Sequence, residues 1–391
     1  MVYGAGLVIG GFTFPDLPDA RTAWSEGLAS LRFDLPRAFA GDGSAFGAPP
    51  AVAAEALWTV AVARAVARAA GAAFPSDADA AFARGARWLE RIAGEIGPLP
   101  PVGDAPPAPV LEAEAPIAWS LWNLARAWGL ADGEPAPGAD ADPRLAWLGV
   151  RAPGGTPEPA PKTWAMWQFR EGGDAVAAMR VKNRPSRVVA SFGPASACPQ
   201  AHPAPLSVLW DVGDVAVLAD PGCAVKTPAL RTVQTHTTLT LDGREPPRRW
   251  DARLTLARVD GKKARITGAT DAWSSMGFQH ERDVLLNQAR LLVTDRLTPV
   301  GRARGRHALR VAFQLGAGWT VEHDGTNWVA KNGALTLVVQ LPATLAWSVV
   351  IGQDGAGRVR GHDGALVDAP CFVGYGGIDG ETRFTASFEI R

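Results

Sequence analysis

The sequence predicts an α+β protein of two domains, helical hairpins followed by a large antiparallel β-sandwich. Three observations carry that expectation. With 391 residues, 47% hydrophobic and 20% charged, the chain has apolar material for two cores and is unlike a disordered or collagenous polymer. The hydrophobic period is 3.6 up to about residue 130 and 2 after Trp164. Between the two lies a Pro/Gly/Ala stretch, 131–162, containing Glu134-Pro-Ala-Pro-Gly and Gly154-Gly-Thr-Pro-Glu-Pro-Ala-Pro, the composition of a linker. The domains are therefore placed at 1–160, helical with the linker at its end, and at 161–391, antiparallel β.

Taken in order, the opening Met1-Val-Tyr-Gly-Ala-Gly-Leu-Val-Ile-Gly-Gly-Phe lacks the basic segment and cleavage site of a secretory signal, so a chain that natively starts at Met1 is expected to be cytoplasmic. Gly4-Ala5-Gly6-Leu7-Val8-Ile9-Gly10 imitates a dinucleotide-binding loop, but that loop works only between a strand and a helix. Three preceding residues cannot make the strand, so a glycine-rich connection is expected. Residues 16–130 read as helices. One spans roughly 50–70, with Leu57, Val60 and Ala61 inward and Arg64 and Arg68 outward. The next begins at Ser76, whose Ser-Asp-Ala-Asp offers a cap, and places Phe82, Leu89, Ile92 and Ile96 on one face. A third carries Ile117, Leu121, Leu124 and Trp128 and stops at Gly129. No apolar run is long enough to predict a membrane span. Beyond Trp164, short alternating runs at 207–210, 215–219, 237–241, 253–259, 291–295, 309–315, 335–341 and 384–390 are strands separated by Gly and Asp turns.

Acids and bases both total 39, which gives no global attraction to nucleic acid. The halves differ: residues 1–160 carry −7 and residues 161–391 carry +7. An anionic partner therefore belongs to the second half, where Arg231, Arg244, Arg248 and Arg249 cluster in sequence as either a solvated basic face or a polyanion contact. Cys198, Cys223 and Cys371 are odd in number and lack C-x-x-C spacing, so buried thiols are expected rather than disulfides or a thiolate metal site.

The residues richest in chemistry are His202, Asp220 and His236. A hairpin of 206–210 and 215–219 turning near Gly213 returns Asp220 to the end where His202 sits, and a loop delivers His236 to that same end. Two imidazoles and a carboxylate suit Zn²⁺; hydrogen-bonded structural histidines are the alternative. Glu55, His280, His307 and Tyr375 are acid or base candidates with structural alternatives, and Asp42 with Asp104 is either a carboxylate pair or two turn caps. There is no G-x-S-x-G elbow and no phosphate-binding G-x-x-x-x-G-K-[ST] loop.

Three segments, Gln200-Ala201-His202-Pro203-Ala204-Pro205-Leu206-Ser207, Leu218-Ala219-Asp220-Pro221-Gly222 and His236-Thr237-Thr238, resemble the G-H-x-H-x-D-x-L-S, L-x-D-x-G and H-N-T signatures of the heparinase II/III family of polysaccharide lyases. Asp42-Gly43-Ser44, Pro101-Val102-Gly103-Asp104, His280-Glu281-Arg282 and Asp295-Arg296-Leu297 resemble its D-G-S, P-x-G-D, H-x-R and D-x-L segments. The resemblance implies a partial (α/α) toroid joined to a β-sandwich, a uronic-acid polysaccharide or oligosaccharide as partner, cleavage by β-elimination, and a structural zinc on His202, Asp220 and His236. It does not supply the catalytic groups. Gln200 stands where the family has the first His of H-x-H, Ala204 stands where it has Asp, and Gly47, Ala48, Ala51, Val52 and Ala53 stand where it has polar groups and a Tyr-His pair. Gln200, His280 and Tyr375 are the substitutes the sequence offers. The competing expectation is a non-catalytic glycan-binding or polysaccharide-assembly protein. About 130 helical residues make too few hairpins for a closed toroid, so a protein partner that completes the helical domain is a further expectation.

Overall fold

The computed structural model describes all residues except 104–114, 196–197, 199, 223–227, 302–304, 354–355 and 362–364. The chain is 27% helix and 35% strand, with every strand pairing antiparallel. Two compact units divide it: Met1–Leu99 with Ala108–Pro159, and Pro100–Pro107 with Ala160–Arg391.

The first unit holds α1 (Val2–Thr13), α2 (Ala20–Ala38), α3 (Pro50–Ala69), α4 (Ser76–Ala93), α5 (Ile117–Ala127) and the short α6 (Pro143–Trp147). The glycine-rich opening is therefore helix α1 and not a connection. Where α1 and α2 touch, both helices present glycine: a Cβ at Gly4 of α1 would stand 2.7 Å from Ser30 Oγ, one at Gly11 of α1 2.6 Å from the Ala20 carbonyl, and one at Gly27 of α2 2.6 Å from the Gly4 carbonyl. Close packing at these positions outweighs the propensity cost of glycine, which is about 1 kcal/mol per residue.

Arg64, expected outward, is buried; it donates to both oxygens of Asp79 and lies 4.4 Å from the Trp128 ring. The same pairing engages Asp79, so α4 starts after Pro75 with no side-chain cap. The stretch 131–162 is also more ordered than a linker. Asn123 exchanges two hydrogen bonds with Ala136, Trp122 Nε1 donates to the Glu134 carbonyl, and Asp142 caps α6. Helix α3 is long and apolar enough by composition to cross a bilayer, contrary to the expectation, but 56% of that window is buried inside its unit, as in the core helix of a bundle.

In the second unit β1 (Ala165–Phe169), β2 (Asp174–Val181), β3 (Arg184–Ser191), β4 (Ser207–Val212) and β5 (Val215–Leu218) form a five-stranded meander in chain order. Next come β6 (Leu239–Leu241), β7 (Ala252–Asp260), β8 (Lys263–Thr270), β9 (Phe278–Asn287), β10 (Arg290–Pro299), β11 (His307–Gln314), β12 (Thr320–His323), β13 (Trp328–Asn332), β14 (Leu335–Gln340) and β15 (Ala346–Val350). The chain ends with β16 (Arg358–Arg360), β17 (Leu366–Asp368), β18 (Cys371–Ile378) and β19 (Thr382–Ile390). An eight-stranded sheet runs β12-β13-β14-β19-β10-β9-β8-β7, a four-stranded sheet β15-β18-β11-β6, and β16 pairs with β17. One continuous core collects the inner faces of the five-, eight- and four-stranded sheets, including Val208 and Trp210, Val284 and Phe388, and Leu239 and Phe313. The four-stranded sheet also covers a second cluster, Ala312, Ala356, Cys371 and Val373, so it is buried on both faces.

Candidate metal centre

His202, Asp220 and His236 come from three connections of the second unit. Asp220 follows β5, and its Oδ1 accepts from the Gly222 N–H at 3.0 Å. Gly222 has φ 60° and a Cβ there would lie 2.9 Å from the Pro101 carbonyl, so the turn demands glycine on two counts. His236 follows a short 3₁₀ turn, Val233–Thr235, fastened at both ends. The Val233 N–H donates to the Glu245 carboxylate, and Thr235 Oγ1 donates to the Leu230 and Thr232 carbonyls. Just beyond the imidazole, Thr237 Oγ1 donates to the Ala219 carbonyl and Thr238 Oγ1 to that of Pro205. The β-branched threonines thus tie the His236 segment to the two loops that carry its partners.

One ligand atom from each of the three residues lies within 4.8 Å of the others. His236 Nδ1 is 2.8 Å from Asp220 Oδ2, and the two imidazole centroids are 5.2 Å apart. Asp220 and His236 are buried, His202 half-buried. Burial alone would raise the Asp220 carboxyl, but the charge and hydrogen bond of His236, and then the charge of His202, hold it below the ordinary carboxylate range. His236 Nε2 is buried with no hydrogen-bond partner among the described residues. Such an atom is costly unless something ligates it. An ionised carboxylate, a second imidazole and an unmet imidazole nitrogen form a donor set that fits a divalent zinc.

Beneath this group lies a second polar cluster. On β9 the inward positions are Phe278, His280, Arg282, Val284 and Leu286, and on β10 Leu291, Val293, Asp295 and Leu297. Arg282 faces Asp295 directly across the ladder. Its Nε and Nη2 donate to the two Asp295 oxygens at 2.8 and 3.0 Å, and His280 Nε2 is 2.6 Å from Asp295 Oδ1. Burial opposes ionisation of Asp295, yet Arg282 and then His280 bring its carboxyl down to about 2. For His280 burial dominates over the opposing pull of Asp295, and its imidazole is held below the usual histidine range. Gln314 is likewise fully buried; its amide donates to the Leu315 and Pro370 carbonyls and accepts from the Gly357 N–H. The sequence pattern contained a signal for this cluster: ionisable side chains at the inward positions of strands that otherwise bury Phe, Val and Leu.

The remaining candidates are scattered. His280 is fully buried and inside this cluster. Gln200 is half-buried, with Oε1 accepting from Cys198 Sγ at 3.0 Å. Tyr375 and His307 line one open depression with Arg306, but His307 points Nδ1 at Asp242, 2.8 Å away, and keeps Nε2 buried. Arg231, Arg244, Arg248 and Arg249 are all exposed, on the connections either side of His236. Glu55 sits on α3, its carboxyl raised by burial. Asp42 caps its own turn, accepting from the Ser44 N–H and Oγ, while Asp104 and Cys223 lie outside the described residues.

Residues 161–369 match the family described as heparinase II/III-like, C-terminal. The chain belongs to the heparinase II/III-like family. Among solved structures it is similar to a mutant of the heparan sulfate lyase HepC from Pedobacter heparinus, with 16% identity and a TM-score of 0.71, and to a heparinase III, with 14% identity and a TM-score of 0.75. The alignments cover 99% of this chain but only 59% and 60% of those chains, so this chain spans about three fifths of their length. No curated protein matches it. At these identities the likeness is one of fold, a polysaccharide-lyase scaffold.

Proposed function

We propose that this heparinase II/III-like chain pairs part of an (α/α) toroid with a β-sandwich, holds a structural zinc on His202, Asp220 and His236, and binds acidic polysaccharide without eliminating it through the family's usual groups. The observation that carries the zinc is that one donor atom from each of the three residues lies within 4.8 Å of the others, and buried His236 Nε2 has no hydrogen-bond partner among the described residues. Zinc in that position supplies positive charge beside Asp220 and a cross-link between three loops.

The view that elimination is lost rests on the proton-transfer positions. Abstraction α to a uronate carboxylate needs a base and an acid within reach of substrate. Gln200 cannot exchange a proton near neutral pH. Of the other acid and base candidates, His280 is fully buried, His307 turns one ring nitrogen inward, and Tyr375 is exposed, so Tyr375 is the accessible one of the three. Exposed Arg231, Arg244, Arg248 and Arg249 are the groups suited to a polyanion, in the half of the chain that carries +7.

Elemental analysis of untagged protein is expected to give about one zinc per chain, lost in His236→Ala. Heparin, heparan sulfate, alginate and hyaluronan are expected to yield no unsaturated uronate absorbance at high protein concentration. Binding should weaken as salt shortens screening to about 8 Å, and Arg248→Ala with Arg249→Ala should reduce it about tenfold. Rapid cleavage of any of the four polymers would overturn the non-catalytic reading, and zinc-free protein the metal one.

A further inference from the structure

Arg282 has one guanidinium nitrogen that does not serve Asp295. Nε and Nη2 are committed to the carboxylate, and Nη1 donates to two main-chain carbonyls, that of Leu206 at 2.9 Å and that of Thr237 at 2.6 Å. Leu206 lies four residues after His202 and Thr237 directly follows His236. The guanidinium thus reaches from the eight-stranded sheet to the residue before β4 and to the approach to β6, strands of two other sheets. All of it is buried, with no exposure at Arg282, Asp295 or His280.

The Leu206 backbone makes this contact more than incidental. Its φ is 55°, a left-handed conformation unfavourable for a γ-branched residue, while its side chain is fully buried in the core. A strained residue of this kind persists only where its surroundings over-determine it. Two constraints act here: the apolar side chain is packed inward, and the carbonyl is fixed by a cation that is itself immobilised by a bidentate carboxylate. Releasing either lets residues 202–206 relax toward extended backbone and carries the His202 ring away from His236.

We propose that Arg282 is a positioning residue for the metal centre, fixing the His202 loop through the Leu206 carbonyl and the His236 segment through the Thr237 carbonyl, with Asp295 and His280 holding the guanidinium in aim. It rests on the zinc reading above only for its metal readout. Removing the groups that orient ligands lowers metal affinity by about 10- to 100-fold in metalloproteins generally, without removing the ligands.

Two variants test it. Arg282→Lys keeps a cation beside Asp295 but cannot hold both carboxylate oxygens and two carbonyls at once. The combined His280→Leu, Arg282→Met and Asp295→Leu variant removes the clamp without leaving a buried charge unpaired. Leu337→Ala, in the core of β14, serves as the control for general loss of stability. Zn²⁺ affinity is read by competition with a chromophoric chelator, and amide hydrogen exchange of residues 200–207 and 236–241 is read in metal-free protein.

The expected result is an affinity loss of about 10-fold or more in both variants, with exchange protection lost selectively in those two segments, and neither change in Leu337→Ala. Unchanged affinity and protection in a folded Arg282 variant overturn the proposal, as does an equal loss in the control. If the natural chain binds no Zn²⁺, the metal reading fails, and the exchange pattern alone decides whether Arg282 positions these loops.

Discussion

The β-rich unit contains two buried His–Asp pairs of nearly equal geometry, and they are compensated in different ways. His280 and Asp295 approach to 2.6 Å, His236 and Asp220 to 2.8 Å, and all four side chains are essentially without exposure. Asp295 has a permanent cation, Arg282, in bidentate contact. Asp220 has none; its other bond is to the Gly222 N–H, and its nearest charges are two imidazoles. A buried carboxylate requires a positive partner. The difference teaches that an arginine of the same chain completes one pair, whereas the other is grouped with a second histidine, His202, in a set that could hold a metal ion.

The largest effect is expected at the complete pair. Asp295→Ala strands the Arg282 charge in the core and should destabilise the unit by about 3–5 kcal/mol, with or without added metal. Calorimetry in chelator should show that loss alone, and in zinc part of the metal-linked stabilisation should be lost in addition, because Asp295 holds the guanidinium that positions the ligands. At the incomplete pair the loss should depend on metal. With zinc at about 100 times its dissociation constant, Asp220→Ala should forfeit about 3 kcal/mol of linked stabilisation. In chelator it should melt close to the natural chain in the same chelator. Equal losses in both conditions for Asp220→Ala would erase the distinction between the pairs.

Acid separates them more gently. His280 titrates lower in the folded state than when unfolded, so below its ordinary value of 6.5 the unfolded chain takes up a proton that the native chain does not. Stability should therefore decline as pH falls below 6.5. Asp295 adds a second decline. Its folded carboxyl lies at about 2 against 3.8, so its contribution, about 2 kcal/mol, is complete above pH 4 and disappears between pH 4 and 2. Replacing the cluster with His280→Leu, Arg282→Met and Asp295→Leu should flatten both phases in urea titrations taken across this range. A pH profile identical to that of the natural chain would mean that other carboxylates set it.

The two pairs were also unequally legible in the sequence. Alternation placed β4, β5, β6, β7, β10, β11, β14 and β19 to within a few residues but gave no strand at β9, and the turn at Gly213 brought Asp220 back toward His202. The role of Arg282 was hidden because strand periodicity treats an inward arginine as an exception, and nothing local says that it reaches Leu206, 76 residues away, or Thr237, 45 residues away. The same non-local blindness accounts for α1. Its glycines argue against helix until α2 is packed on them, and that contact is invisible in a short window. Arg64 reads as outward in a helical window because the partners that bury it, Asp79 and Trp128, lie on other segments.

The two cysteines among the described residues offer the smallest and simplest comparison of surroundings. Cys371 lies opposite Gln314 on β18, fully buried, and burial pushes its thiol up to about 12. Cys198 stands at the start of the loop that carries His202, half-buried, its Sγ donating to Gln200. Thiolate is the reactive form, and access to reagent sets the rate where it exists. Native protein treated with an aromatic disulfide reagent, then digested and mapped, should be modified at Cys198 and spared at Cys371. If the His202 loop is ordered by a bound cation, saturating zinc should slow modification of Cys198 several-fold and leave Cys371 as inert as before. Cys371 reacting as fast as Cys198 in folded protein would show that the core around Gln314 opens as readily as the loop, and the contrast between a closed structural pair and an open ligand-accepting one would be lost.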